Sequence, residues 1–254
     1  MKGITKHIPN MLTCASLAFG FYASILGITG NYTGAMIAIF IAAVFDFSDG
    51  LAARLLKAYS AMGKELDSLA DMVSFGVAPG MMLFCFIDQL LYSLSWNESW
   101  ICKLLLLAAF AIPIFSGLRL AKFNIDTRQT TSFLGLPVPA HAIFWSAMIV
   151  AISSATSTNI LEGALPLTQL ITAIPSEAII IILSITAIAT SLLLVSEIPM
   201  FSLKIKSFSW KDTKMQYILI ISAIILIFLL GAIGISATIL LYILLSALNR
   251  KPAS

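Results

Sequence analysis

The chain has 254 residues, of which 59% are hydrophobic and 11% charged, and its mean hydropathy is +1.00. A soluble domain carries about 25% charged residues, so the composition excludes an ordinary soluble fold and predicts an all-α polytopic membrane protein. The formal net charge of +3 says little by itself and suggests no nucleic-acid partner. The information lies in where the charges fall.

A span needs about 20 apolar residues. Apolar runs of that order lie at roughly 10–30, 34–55, 68–94, 101–122, 136–154, 176–197, 215–231 and 234–249. They predict about eight transmembrane helices in a single membrane domain covering 1–254. The basic start, Met1 to His7, runs into the first span without a small-residue cleavage site, so no removable signal peptide is expected.

Along the first span, Pro9 falls near the first turn. Asn10 and Thr13, one turn apart, face the same end of the span, within reach of a ligand there. A plain N-cap is the simpler alternative for Asn10. The second span ends in Asp46-Phe47-Ser48-Asp49-Gly50-Leu51-Ala52-Ala53-Arg54. At 100° per residue Asp46 and Asp49 are about 60° apart, with Gly50 and Ala53 about 40° and 20° from Asp46. The acidic face is therefore also a small-residue face. A connecting segment, Arg54 to Glu65, leads to Gly63, Asp67 and Asp71, an i, i+4, i+8 ladder that opens the third span.

Gly117 to Asn124 closes the fourth span, with Arg119 and Lys122 on one side of the helix and Asn124 beside them. These three are the candidate contacts for an anionic group, a carboxylate or phosphate. Charge anchoring at the membrane face is the alternative. Phe133 to His141, with Pro137 and Pro139, leads into the fifth span. His141 reads as a capping or interfacial residue rather than a helper base. Trp96, Trp100 and Trp145 read as interface anchors or packing. The last apolar stretch, about 33 residues, is too long for one span. It is predicted to break at Gly231-Ala232-Ile233-Gly234 into a helical hairpin at about 215–249. Cys14, Cys85 and Cys102 match neither a disulfide framework nor a zinc site and read as small buried residues.

With the N-terminus in the cytoplasm, 14 of the 15 Lys and Arg residues fall on cytoplasmic segments, and only Lys103 does not. The positive-inside rule thus predicts a cell (inner) membrane protein with both termini and the aspartate cluster on the cytoplasmic side. The 153–176 segment becomes the largest external loop.

Carboxylates at a membrane boundary are costly and mark function by default. Asp46, Asp49, Asp67 and Asp71, brought together by two antiparallel helices, need counter-charge. Two Mg²⁺ or Mn²⁺ ions suit an all-oxygen ligand set and would polarise a phosphoryl group. The alternatives are a salt-bridge network with Arg54, Lys57 and Lys64, or an ion pathway. A cation transporter, however, needs polar groups through the membrane midplane, and here the acids crowd at one face.

The pattern D-x2-D-G-x2-A-R-x8-G-x3-D-x3-D over residues 46–71 resembles the signature of the CDP-alcohol phosphotransferases, matching at all eight defined positions. The resemblance implies an integral membrane enzyme, generally homodimeric, that moves a phosphatidyl group from CDP-diacylglycerol to an alcohol and releases CMP. It implies that Asp46, Asp49, Asp67 and Asp71 ligate two metals and that Asp71 is also the general base. It implies that Gly50, Ala53, Arg54 and Gly63 shape the nucleotide pocket, which Asn10 and Thr13 adjoin. The segments at Ile8–Thr13, Gly117–Asn124 and Phe133–His141 resemble those of the family's serine-using bacterial members over the first 145 or so residues. The expected acceptor is therefore L-serine, held by Arg119, Lys122 and Asn124. A sister enzyme using glycerol-3-phosphate or an inositol phosphate is the alternative, although a dianionic phosphate calls for a denser basic cluster.

Overall fold

The computed structural model describes residues 7–94, 100–125, 133–156, 171, 173–201 and 210–248. Trp96, Arg128, Lys204 and Lys206 lie outside the described residues. Seven helical segments are long and apolar enough to cross a membrane, and Ala232–Leu248 adds a shorter apolar helix of 17 residues. The chain is thus a multi-pass membrane protein. The eight expected runs all appear as helix, and the bounds differ chiefly in the third.

Helix α1 (Ile8–Ile28) starts with Pro9 in its first turn, and His7 takes the N-cap position without a side-chain cap hydrogen bond. Asn10 therefore lies inside the helix, which removes the N-cap alternative. Helix α2 (Tyr32–Leu55) is capped by Asn31, whose side chain accepts from the Gly34 N–H at 2.9 Å. It ends in a Schellman turn. The Ala58 N–H donates to the Ala53 carbonyl at 3.0 Å and the Lys57 N–H to the Arg54 carbonyl at 3.3 Å, with Lys57 in the left-handed region at φ 51°. Ser60 then caps α3 (Ala61–Asp71) by accepting from the Gly63 N–H at 2.9 Å. The reversal is therefore tighter than the Arg54–Glu65 connection expected, because both helix ends are closed by local hydrogen bonds.

Helix α3 does not stop at Asp71. It runs through a π-helical turn, Met72–Val77, into α4 (Ala78–Ser93). Helix α5 (Trp100–Leu107) continues through a 3₁₀ turn, Ala108–Phe110, into α6 (Ala111–Ile125). Next come α7 (Val138–Thr156) and α8 (Ser176–Val195). Two-residue strands β1 (Phe133–Leu134) and β2 (Pro199–Met200) pair antiparallel and tie the entry of α7 to the exit of α8. Helix α9 (Trp210–Leu230), kinked at Thr213, and α10 (Ala232–Leu248) form the terminal hairpin. Gly231, at φ 59°, makes the break, a conformation that glycine adopts without steric cost.

Helix α1 packs most heavily on α2 and also against α3, the π turn and α4. Its approach to the π turn is close. The Ser74 hydroxyl donates to the Ser16 carbonyl at 3.0 Å, and a Cβ at Gly20 would sit 2.5 Å from the Ser74 Cα. Helix α10 packs about equally on α7 and α9, and α6 packs on α8. The buried core gathers Phe75, Met82, Phe86, Phe144, Trp145 and Ile149. Phe47, Ile185 and Phe228 face outward, as suits a surface bathed by lipid tails.

Two expectations about single residues change. His141 is not interfacial. It is fully buried, accepts from the Trp145 indole N–H at 3.1 Å and lies 3.0 Å from the Thr190 hydroxyl. The segment before it is already packed into the bundle, with Leu136 and Val138 buried. Of the cysteines only Cys102 is buried, while Cys85 is partly exposed and Cys14 exposed. An apolar thiol is equally at home against lipid, so burial in the protein is not required.

Candidate active site

Helix α2 carries Asp46 and Asp49, and α3 carries Asp67 and Asp71. One oxygen from each of Asp46, Asp49 and Asp67 lies within 4.8 Å of the other two. Asp71 adjoins them through Asp46, whose carboxyl is within hydrogen-bonding reach of both Asp67 and Asp71. The two acidic helices touch little directly. Helix α1 packs against both, and its Thr13 hydroxyl lies 2.5 Å from Asp49 Oδ2, as donor, and 3.1 Å from the Pro9 carbonyl. The expected pairing of two antiparallel helices is thus a three-helix arrangement with α1 as the third wall.

Nearby cations do not neutralise the cluster. The Arg54 Nε donates to the Gly50 carbonyl at 3.0 Å, and the Lys64 Nζ to the Asn124 carbonyl at 3.2 Å. Among the described residues neither forms an ion pair with the aspartates. Asp71 Oδ1 is shielded from solvent and has no hydrogen-bond partner. Oxygen-only donors, an orphan carboxylate oxygen and the lack of an ion pair to the aspartates among the described residues together fit a hard divalent cation. The cluster could hold such an ion.

Beside the cluster is a cavity of about 220 Å³. Asn10, Thr13, Gly50, Ala53 and Gly63, all expected near a nucleotide, line it together with Asp49 and Asp67. Nothing lies within 4 Å of a Cβ built on Gly50, so its missing side chain leaves open space rather than a packing contact. Arg54 is exposed and is not among the lining residues. The wall also includes Tyr59, Ser60 and Lys64 of the connecting segment. The Ser60 cap three residues before Gly63 was the available signal, since it places the turn against the α3 entrance.

Near Asp71 stands Arg119 of α6, 8% exposed and the only buried Lys or Arg among the described residues. It lies within electrostatic range of Asp71 and of Tyr242, with its guanidinium 5.8 Å from the Phe123 ring centre. Its Nε has no hydrogen-bond partner. Lys122 points elsewhere, 3.9 Å from Glu197 and 3.5 Å from the Val195 carbonyl. Asn124 donates to the Ser68 hydroxyl at 2.9 Å and so ties α6 to α3. Of the three residues expected at the acceptor, only Arg119 is buried beside the cluster.

A larger cavity, about 670 Å³, opens at the opposite end of the helices. Its walls include Asn31, Tyr32, Gln89, Ser93, Ser153 and Ser176, and none of the described lining residues is charged.

A family model described as CDP-alcohol phosphatidyltransferase matches residues 6–248. The chain belongs to this family of membrane transferases. A Bacillus subtilis (strain 168) relative named CDP-diacylglycerol–serine O-phosphatidyltransferase is 37% identical over 156 residues, 61% of this chain and 80% of the relative. A Helicobacter pylori (strain J99) protein of the same name is 31% identical over 157 residues, 61% of each chain. An archaetidylserine synthase of Methanothermobacter thermautotrophicus is 32% identical over 146 residues, 56% of this chain and 58% of the relative.

Proposed function

We propose that this chain transfers the phosphatidyl group of CDP-diacylglycerol to L-serine, giving phosphatidylserine and CMP. The carrying observation is the convergence of four carboxylates from α2 and α3 beside a small-residue cavity, with one buried arginine near Asp71. The names of the relatives support serine as the acceptor. Residues 1–254 act as one catalytic unit, a homodimer in the cell membrane, with the site and both termini toward the cytoplasm.

Asp46, Asp49, Asp67 and Asp71 hold two divalent cations, Mg²⁺ or Mn²⁺, which when bound offset the carboxylate charge and polarise the phosphoryl group. Thr13 fixes the rotamer of Asp49 through its hydroxyl. Gly50, Ala53 and Gly63 leave room for the cytidine diphosphate, and Asn10 offers it an amide. Arg54 braces the end of α2 at the mouth of this pocket through the Gly50 carbonyl. Arg119 receives the serine carboxylate, with Lys122 and Asn124 shaping the approach. Asp71, with Oδ1 unengaged, accepts the serine hydroxyl proton as the serine oxygen bonds to the phosphorus next to diacylglycerol. The bond from that phosphorus to the bridging oxygen breaks, and CMP leaves with the electron pair.

Glycerol-3-phosphate is the weaker candidate acceptor, because a dianion would meet one buried cation while Lys122 is turned to Glu197. The test is CMP release by purified protein from CDP-diacylglycerol with a panel of alcohols, with and without a chelator. Serine should support release, a chelator should abolish it, and added Mg²⁺ or Mn²⁺ should restore it. Release with glycerol-3-phosphate and not with serine would defeat the serine assignment while keeping the transferase.

A further inference from the structure

We propose that Gly76, in the π turn, is a positioning residue for the acceptor side of the site. Having no side chain, it lets α6 seat at the depth that sets Arg119 beside Asp71. The proposal rests on the reading of Arg119 as the group that holds the acceptor carboxylate.

Close contacts fix how α6 lies on the continuous helix formed by α3, the π turn and α4. A Cβ built on Gly80 would lie 2.8 Å from the Pro113 Cδ, and one on Gly76 would lie 3.1 Å from the Ser116 Cβ. Toward the aspartate end, the Asn124 Nδ2 donates to the Ser68 hydroxyl at 2.9 Å and the Lys64 Nζ to the Asn124 carbonyl at 3.2 Å. Residue numbers rise along one helix as they fall along the other, so the two run antiparallel. Arg119 and Asp71 both fall between the Gly76–Ser116 and Ser68–Asn124 contacts, about 3 Å apart in height. Each also stands three residues beyond a contact residue, Ser116 or Ser68, and so about 60° off the line of contact. On antiparallel helices that rotation carries both to the same side. The register therefore brings guanidinium and carboxyl together. Neither the Arg119 Nε nor the Asp71 Oδ1 has a hydrogen-bond partner, so both are free to engage an acceptor.

Gly76 is the tight point of this seam. It is helical and has no need of the left-handed region, so its backbone does not call for glycine. Glycine inside a helix is destabilising relative to alanine, and what it gives in return here is space. The Met72 thioether, 3.3 Å from the same Cβ, could swing aside, but the Ser116 Cβ is fixed to its own helix. A methyl group at position 76 therefore moves α6 by a few tenths of an ångström. Misplacement of about 1 Å can cost about 10²-fold at a site remote from the change, so a smaller shift should cost less than that. The loss falls on the acceptor, because neither Gly76 nor Ser116 lines the cavity beside Gly50.

The experiment measures KM and kcat in detergent for wild type, Gly76→Ala, Ser116→Gly, the double variant, Ser68→Ala and Arg119→Ala. Gly76→Ala should raise the serine KM about fivefold and leave the CDP-diacylglycerol KM within about twofold. The buried Ser116 hydroxyl has no partner, so its removal breaks no hydrogen bond. Deleting the Ser116 Cβ makes room for the new methyl, so the double variant should return to within about twofold of Ser116→Gly. Ser68→Ala frees Asn124 without adding bulk and should raise the serine KM about twofold to threefold. Should Gly76→Ala not insert, Ser68→Ala decides. A normal serine KM in Gly76→Ala, with a raised one in Arg119→Ala, would overturn the proposal and spare the arginine. A rise that the double variant does not relieve, or that serine and CDP-diacylglycerol share equally, would mean general loosening and also overturn it. A normal serine KM in Arg119→Ala removes the arginine assignment and the role of Gly76 with it. No serine-dependent CMP release by wild type would defeat the proposed function itself.

Discussion

The two ends of the α1–α2 pair carry two different cavities. At one end about 220 Å³ is bordered by aspartates and glycines, and at the other about 670 Å³ is bordered by hydroxyls and amides. The Tyr32–Asp49 separation along α2 spans about 26 Å, so the two are independent sites of the same helices. The larger space is chemically quieter. The Tyr32 hydroxyl donates to Gln89 Oε1 at 3.1 Å, and the Ser93 and Ser153 hydroxyls donate to carbonyls of their own helices. The smaller space is bordered by Asp49 and Asp67, which have no ion-pair partner among the described residues, and by a glycine that faces open volume. Cavity size is therefore a poor guide to chemistry here, and unmet electrostatic demand is a good one.

The largest test of this contrast is Asp71→Asn or Asp67→Asn. Each should lower serine-dependent CMP release by about 10³-fold or more, because a ligand charge and, for Asp71, the base are lost. Near-normal release by correctly inserted Asp71→Asn would remove the base assignment. Next comes Gly50→Leu, which should weaken CDP-diacylglycerol binding about 100-fold, or about 2.7 kcal/mol. Thermal stability should stay near wild type, because a Cβ at this position meets no protein atom within 4 Å and the side chain enters the open cavity. Tight lipid–nucleotide binding by this variant would put the nucleotide elsewhere. Arg119→Ala should raise the serine KM roughly 10–100-fold, the equivalent of a lost charge-assisted contact of about 1.5–3 kcal/mol. Equal losses for serine and lipid would assign the arginine to the diphosphate instead. The smallest effect belongs to the opposite end. Gln89→Leu should leave turnover within about twofold and cost about 1 kcal/mol of stability. A large fall in turnover there would break the contrast outright.

Much of the acidic end was legible in the sequence because helical spacing is rigid. Asp46, Asp49, Gly50 and Ala53 share a face by arithmetic, and so do Gly63, Asp67 and Asp71. Asn10 and Thr13 were placed at the right depth by the start of the first span alone. The role of α1 as third wall was not legible, since it depends on the close approach of Gly20 to Ser74 across two helices. Nor was the fate of Lys122. Its partner Glu197 is distant in sequence, and an i, i+3 relation to Arg119 suggested shared work that the packing of α6 on α8 divides. His141 was misread because a residue at the start of an apolar run is interfacial only if the helix emerges there.

The π turn at Met72–Val77 has a practical consequence for anyone who aligns or redesigns this chain. A π turn accommodates a residue more than an α turn does, so the helical wheel is reset within six residues. Positions up to Asp71 and positions from Ala78 onward no longer share one 100° clock. A mutational scan that numbers faces continuously from Ala61 to Ser93 will assign its later half to the wrong side. A gap of a single residue opened or closed in that stretch by an alignment rotates Met82 and Phe86 out of the core while leaving the aspartates untouched.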